Sequence, residues 1–306
     1  MKKSIYASLS CLALTILVSL TACNKTPDEP ATPAEPTCDL ALNKKGGVKS
    51  FDVSYNAQHL MTKFSYYDAA GSVTSSYDFS YDGNGRVTTQ AGKDAAGVST
   101  QRVDLIYGSN NKIFQIKSYN SAGEQTSQTT QEYDSDGRCT RKSSLSFTAG
   151  VSSASGYTVI EYSGSSKYPT RAIYTPQPTG MRTITTFTYD ANGNMTESVR
   201  FDAPIGGQSI QRYRYQYTYD NKKLVALNLA GYARVGYDSG ANENFIANKN
   251  NRTLETQISY DVLGNETNRS VSSYVYEYNS DGYPTKRTYT PSSGANVIDT
   301  YEYHCH

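Results

Sequence analysis

The sequence predicts an all-β protein: an antiparallel up-and-down meander of about 18 strands, curled or closed into a large barrel that is flattened or filled with water. Three observations predict this fold. Tyrosines recur at a fixed spacing, turn motifs recur after them, and apolar and polar residues alternate with the period of two that is typical of strands. The composition agrees, because 37% hydrophobic residues, 28 tyrosines and no tryptophan suit polar-faced strands better than a helical or α/β core.

The amino end indicates an export signal. Lys2 and Lys3 precede an apolar stretch, residues 9–20, that is too short to span a bilayer as a mature helix. The stretch ends in Leu20-Thr21-Ala22-Cys23, which resembles the lipobox of bacterial lipoproteins; the alternative is an ordinary signal with a chance cysteine. We expect a signal peptide over residues 1–22, a lipid on Cys23, and a protein anchored to the outer membrane of the bacterial cell envelope, periplasmic or surface-exposed.

Residues 23–47 are predicted to form a tether between the lipid and a single repetitive β domain, residues 48–306. Prolines occur at every third position after the cysteine: Pro27, Pro30, Pro33 and Pro36. No apolar residue larger than alanine occurs from residue 24 to residue 37, so the segment favours an extended conformation of about 3 Å per residue.

The body of the chain is a repeat. Four tyrosines, Tyr55, Tyr81, Tyr107 and Tyr133, are spaced by 26 residues, and the series continues less regularly through Tyr162, Tyr189, Tyr219 and Tyr278. Each unit has room for two strands and two turns, so the repeat predicts a meander. The sixth residue after the tyrosine is usually a packing residue and is expected to pair across the hairpin: Val87, Ile113, Cys139, Tyr168 or Met195.

The motif after each tyrosine predicts a hairpin turn. In Asp82-Gly83-Asn84-Gly85 and Asp190-Ala191-Asn192-Gly193 the aspartate can open a type I turn, and the last glycine can take the left-handed conformation. A calcium loop of the EF-hand begins similarly, but its downstream glutamate and flanking helices are missing.

One face of the strands is rich in tyrosine. Tyr213, Tyr215, Tyr217 and Tyr219 alternate with Arg212, Arg214, Gln216 and Thr218. A tyrosine face that recurs in every unit favours a repeating core; the alternative is a stacking platform for a sugar or another ligand.

The turn motif also carries a family resemblance. Tyr81-Asp82-Gly83-Asn84-Gly85-Arg86 and the matching string from Tyr189 to Asn194 look like the YD or RHS repeat. With the lipobox and the proline-rich tether, the chain resembles Bacteroidetes-type lipoproteins of unknown function, some of which have a porin-like fold. The resemblance covers Val48 to the end of the sequence and implies a β-meander with a porin-like outline.

Few residues suggest chemistry. The stretch Gly231–Asn251 interrupts the repeat and is predicted to be a long loop whose candidate ligand residues are Tyr237, Asp238, Asn242, Glu243 and Asn244. Cys38 and Cys305 flank the first and last predicted strands, so a disulfide across the seam of a closed sheet is one hypothesis and two unrelated cysteines the other. Cys139 is expected to be a buried free thiol.

No catalytic, cofactor or metal site is predicted. The sequence has no nucleophile elbow, phosphate loop or metalloprotease helix, and His304-Cys305-His306 has no second ligand cluster near it in the sequence. His59, in the first turn region, is expected to be exposed. A net charge of +1 gives no sign of nucleic-acid binding.

These observations predict a membrane-tethered, non-enzymatic β-protein, a monomer, that binds a glycan or protein ligand at the cell surface or in the periplasm. Two alternatives remain open at this stage. One is a pore-like outer-membrane barrel, which needs an apolar outward band about 25 Å tall. The other is a glycan-active hydrolase, which needs only two carboxylates that no motif identifies.

Overall fold

The fold is an all-β barrel of antiparallel strands. The computed structural model describes residues 37–178, 180–204, 206–224 and 248–306. Within these ranges the chain forms 18 strands and no helix, and no helix is therefore available there to cross a membrane. The strands are β1 Cys38–Lys45, β2 Val48–Tyr55, β3 Met61–Tyr67, β4 Val73–Tyr81, β5 Val87–Asp94, β6 Ser99–Tyr107, β7 Ile113–Asn120, β8 Gln125–Tyr133, β9 Cys139–Thr148, β10 Val151–Tyr162, β11 Pro169–Pro176, β12 Arg182–Tyr189, β13 Met195–Ala203, β14 Ile210–Tyr219, β15 Arg252–Tyr260, β16 Glu266–Tyr278, β17 Pro284–Thr290 and β18 Val297–Cys305.

The sheet closes on itself, which confirms the predicted meander barrel. Every strand pairs with its neighbours in sequence, and β1 pairs with both β2 and β18. The β1–β18 register runs from Cys38 opposite Cys305 to Lys45 opposite Asp299. Closure leaves no unpaired edge strand among the described residues, so no row of backbone groups is open to another chain.

The domain begins earlier than the sequence analysis predicted. β1 lies inside the segment assigned to the tether, residues 23–47, and the barrel therefore starts at Cys38 rather than at Val48. Leu40 is fully buried, and its carbonyl accepts a hydrogen bond from the Tyr55 hydroxyl at 2.8 Å. The strand was missed because it has no turn tyrosine of its own: it is the first half of the hairpin that Tyr55 completes. The predicted signal peptide and Cys23 lie outside the described residues.

The Asp-x-x-Gly motifs form hairpin turns, as predicted. Asp82 Oδ1 accepts hydrogen bonds from the backbone N–H groups of Asn84 at 2.9 Å and Arg86 at 3.0 Å. These backbone contacts occupy the carboxylate within the turn. Two turn glycines differ in their surroundings: a Cβ on Gly193 (φ +86°) would lie 2.0 Å from the Tyr168 hydroxyl, whereas a Cβ on Gly264 (φ +83°) would meet nothing within 4 Å.

The repeated tyrosines lie at or near the ends of the even-numbered strands, and their hydroxyls connect neighbouring hairpins. The pairing predicted across each turn holds for Tyr81 with Val87 and for Tyr189 with Met195, but Tyr162 pairs with Pro169 rather than with Tyr168. Each hydroxyl reaches back to the preceding hairpin, as in Tyr107, which donates to the Val87 carbonyl at 2.9 Å. We call this end of the barrel the tyrosine rim; it carries Tyr55, Tyr81, Tyr107, Tyr133, Tyr162, Tyr189, Tyr219, Tyr278 and Tyr303.

The tyrosine-bearing face of the sheet is the inner face. Leu105, on this face, is 4% exposed, whereas its neighbour Ile106, on the other face, is 39% exposed. A closed sheet shields only one of its faces, so the difference between two similar side chains assigns the inside. The larger buried cluster on this side comprises Val53, Met61, Phe64, Phe79, Val87 and Leu105, with half-buried tyrosines packed against it.

Candidate ligand-binding face

The inner face between β14 and β18 combines tyrosine rings with paired charges. The strand registers place Tyr217 opposite Glu255, Tyr274 opposite Tyr289, and Arg287 opposite Asp299. We call this area the inner patch and define it by Tyr213, Tyr215, Tyr217, Arg252, Glu255, Tyr274, Arg287, Tyr289 and Asp299. Because opposite residues in an antiparallel sheet point to the same side, these side chains share one surface.

The rings of the inner patch are stacked. Tyr215 lies between Tyr213 and Tyr217, with ring centroids 6.5 Å and 6.4 Å away, and the rings of Tyr274 and Tyr289 are 5.0 Å apart. Successive residues of the same face project side by side along a strand, so the alternation read from the sequence is what aligns the first three rings. The result is a row of flat apolar rings, each of which carries a polar hydroxyl group.

Two ion pairs lie among the rings. Arg252 Nη1 donates to Glu255 Oε2 at 2.6 Å, and the Arg252 guanidinium lies 4.4 Å from the centre of the Tyr217 ring. Arg287 Nη2 donates to Asp299 Oδ2 at 2.5 Å, and Asp299 is 5% exposed. An arginine that is bound to a carboxylate and lies against a ring is held in one orientation, which fixes the direction of its remaining N–H groups.

The Tyr274 hydroxyl of the inner patch has a raised pKa. Burial, together with the Glu255 carboxylate that accepts a hydrogen bond from this hydroxyl at 3.0 Å, raises the pKa of Tyr274 to about 12. Burial also raises the pKa of Tyr301 on β18. At neutral pH the Tyr274 hydroxyl is therefore a neutral phenol beside the Glu255 carboxylate, an arrangement suited to hydrogen bonding with a polar ligand.

The base of the predicted long loop is held at the tyrosine rim. Asn194 is fully buried in the β12–β13 turn, and its Oδ1 accepts hydrogen bonds from the backbone N–H groups of Lys249 at 2.8 Å and Asn250 at 3.1 Å. Asn248 Oδ1 accepts a hydrogen bond from Met195 N at 2.9 Å. The candidate ligand residues of the loop lie outside the described residues: Tyr237, Asp238, Asn242, Glu243 and Asn244.

The two cysteines of the seam are joined in the structure. Cys38 and Cys305, 267 residues apart in sequence, form a disulfide between β1 and β18. The Cys38 N–H also donates a hydrogen bond to the hydroxyl of Tyr283, in the β16–β17 turn, at 3.3 Å. Cys139, which was expected to be buried, is half-buried, and its Sγ lies 3.7 Å from Gln131 Oε1.

The sequence analysis did not identify the charged residues of the inner patch. Glu255, Arg287 and Asp299 lie on three strands, and each occurs in a stretch without a motif. The signal that could have found them is the alternation itself: extended through the bulges, it places all three on the face that carries the tyrosines.

No protein-family model matches the chain, and no curated protein matches it. Among solved structures, the chain is similar to a porin-like protein from Bacteroides uniformis, with 11% identity, a TM-score of 0.46, and coverage of 87% of this chain and 96% of that one. A porin-like protein from Bacteroides vulgatus has 11% identity and a TM-score of 0.44, with coverage of 87% and 99%. The Photorhabdus luminescens Tc holotoxin pore has 15% identity and a TM-score of 0.33 over 78% of this chain and 13% of that one.

Proposed function

We propose that this chain is a lipid-anchored, non-enzymatic binding protein of the bacterial cell envelope, and that the inner patch binds a glycan. The observation that carries the proposal is the row of stacked tyrosines flanked by arginine–carboxylate pairs. Sugars present apolar C–H faces that pack on aromatic rings, and hydroxyl groups that hydrogen-bond to fixed charges and phenols. The inner patch offers both within one surface.

A binding test compares tyrosines on the two faces. We expect a glycan-array hit, confirmed by calorimetry, to lose about fivefold in affinity when the Tyr289 ring is removed by Tyr289→Ala, since an aromatic contact contributes about 1 kcal/mol. Tyr119→Ala is the control, because Tyr119 lies on the outer face against Arg102. Equal losses in both variants, or no loss in either, would contradict binding at the inner patch.

The anchoring part of the proposal rests on the lipobox-like string and the proline-rich segment after it. Full-length protein expressed in a bacterium is expected to incorporate a labelled fatty acid. Cys23→Ser should abolish labelling, whereas Cys11→Ser, in the signal segment, should not. Labelling that survives Cys23→Ser would overturn the anchor assignment.

A barrel outside the bilayer is favoured over the pore-like alternative by the charges of the outer face. Outward side chains form ion pairs such as Lys93 with Asp78 at 2.6 Å and Arg214 with Glu197 at 2.6 Å. A membrane-spanning barrel needs an apolar band about 25 Å tall on that face. The Cys23→Ser protein should therefore purify without detergent; a requirement for micelles would support the pore.

The hydrolase alternative has a sharper test now that two carboxylates are placed. Glu255 and Asp299 each accept hydrogen bonds from an arginine, an arrangement that suits ligand binding better than proton donation. We expect no turnover on a glycan panel. Turnover that Glu255→Gln abolishes would replace the binding proposal with an enzymatic one.

A further inference from the structure

Closure of the barrel brings together three side chains that are far apart in sequence. Asp39 follows the first cysteine of the seam, His59 lies in the β2–β3 turn, and His306 follows β18. Asp39 Oδ2 is 3.3 Å from His59 Nδ1 and 3.8 Å from His306 Nδ1. One ligand atom from each residue lies within 4.8 Å of the other two.

We propose that Asp39, His59 and His306 bind a divalent transition-metal ion, with zinc as the best match. Two imidazoles and one carboxylate are ligands that zinc accepts, and three protein ligands leave one position open for water. In a tetrahedral site with ligands about 2.0–2.1 Å from the metal, ligand atoms are about 3.3 Å apart. The separations from the carboxylate to the two histidines are close to this value.

The burial of the three side chains fits a metal site. Asp39 is 1% exposed, whereas the side chains of His59 and His306 are 45% and 35% exposed. A buried carboxylate is stabilised by a cation, and the exposed rings leave the ion a path from solvent. The two rings are stacked with centroids 3.5 Å apart, and rotation of these exposed side chains can direct both Nδ1 atoms to the same ion.

His59 stands at a turn position that most of the other described turns give to glycine. Its N–H donates to the Asn56 carbonyl at 3.0 Å, the bond that Gly85 makes to Asp82 in the next repeat. Both residues have positive φ, +57° for His59 and +72° for Gly85. Glycine takes this conformation at lower cost than a residue with a side chain. Histidine at this position therefore costs the turn more than glycine does, as asparagine does at Asn111 (φ +59°) in the β6–β7 turn.

The proposed site lies beside the seam disulfide. Asp39 adjoins Cys38, and His306 adjoins Cys305, so the ion would connect β1, β18 and the β2–β3 turn at one point on the rim. A second group, formed by Cys38, Asp281 and Cys305, has comparable spacing. Its two sulfurs are joined to each other in the disulfide, which leaves them unsuited to bind a metal as thiolates.

The test measures zinc binding by the full-length protein, prepared without a polyhistidine tag and treated with a chelator. Competition with a chromophoric chelator should show one zinc ion per chain, and zinc should raise the melting temperature, whereas magnesium should not. Cobalt bound in place of zinc should give the visible absorption of a four-coordinate ion.

The informative variant is His59→Gly, because glycine suits the turn better than histidine. It should fold and melt at or above the temperature of the metal-free wild type. Its affinity for zinc should fall by more than about tenfold, which is the loss expected when only an outer-shell partner is removed. His306→Ala and Asp39→Asn should lose affinity as well. His304→Ala is the matched control, two residues away and outside the cluster, and should keep full affinity.

Three outcomes would overturn the proposal. One is the absence of zinc binding by the wild type. Another is an unchanged affinity in Asp39→Asn, which would reduce the site to an adventitious pair of surface histidines. The third is an equal loss in His304→Ala and His306→Ala. None of these results depends on whether the inner patch binds a glycan, so the two proposals fail separately.

Discussion

Removal of the seam disulfide should weaken the barrel without opening it. The perturbation is the double substitution Cys38→Ser and Cys305→Ser. The two cysteines are 267 positions apart in the sequence. The loss of chain entropy on cross-linking therefore gives an upper limit of about 5.6 kcal/mol, and removal of a native disulfide usually costs about 2–5 kcal/mol. The backbone pairing between β1 and β18 continues to Lys45 opposite Asp299. We therefore expect a lower stability with an unchanged β-type circular dichroism spectrum.

Urea unfolding followed by circular dichroism measures this loss, with reversibility checked by dilution. Cys139→Ser is the control, because Cys139 takes no part in the disulfide between Cys38 and Cys305. Non-reducing peptide mapping of exported wild-type protein should recover a linked Cys38–Cys305 peptide. The reasoning fails if both cysteines are free thiols there, or if the double variant unfolds at the same urea concentration as the wild type.

Three further predictions concern the repeat. Tyr107→Phe should lower the free energy of unfolding by about 1 kcal/mol, the usual net contribution of one hydrogen bond, whereas Tyr119→Phe on the outer face should change it by less than about 0.5 kcal/mol; urea unfolding compares them. Gly193→Ala should destabilise by about 1–3 kcal/mol more than Gly264→Ala, because both incur the same backbone strain but only the first adds overpacking; melting temperatures rank them. Burial raises the pKa of Tyr81 to about 12, above its value near 10 in an unfolded chain. The contribution of protonated Tyr81 to the free energy of unfolding is therefore complete below about pH 10 and is lost as the pH rises towards 12; tyrosinate absorbance and circular dichroism should change together in that interval.

The sequence was sufficient to predict the turns and most strands of the meander because these depend on local order, but it left open whether the sheet curls or closes. A constant spacing between Tyr55 and Tyr133 fixes the length of a hairpin, and alternation fixes its faces. β1 was missed because Cys38–Lys45 follows a proline-rich segment and contains no repeat tyrosine. Its place in the barrel depends on pairing with β18, which lies at the other end of the described chain.

The candidate sites were harder to predict because they depend on distant contacts. Glu255, Arg287 and Asp299 meet only through the registers of β15 to β18, and a single bulge shifts which side chains share a face. His59 and His306 meet only because the sheet closes. A histidine next to a cysteine at one end of a sequence carries no sign of the turn residue that will lie against it.

One tyrosine of the rim, Tyr278, differs from the others in its hydrogen-bond partner. The hydroxyls of the tyrosine rim donate to backbone carbonyls of the preceding hairpin, with one exception: Tyr278 donates to the carboxylate of Asp220 instead. Asp220 also accepts hydrogen bonds from the backbone N–H groups of Lys222 and Asn251, so one carboxylate holds both sides of the long β14–β15 connection and the end of β16. A carboxylate has two oxygens and can accept hydrogen bonds from more partners at once than a backbone carbonyl, which has one. The hydrogen bonds of Asp220 thus hold the two ends of this connection at the tyrosine rim, beside the strands that carry the inner patch. The spacing of the repeat also departs from its regular period here.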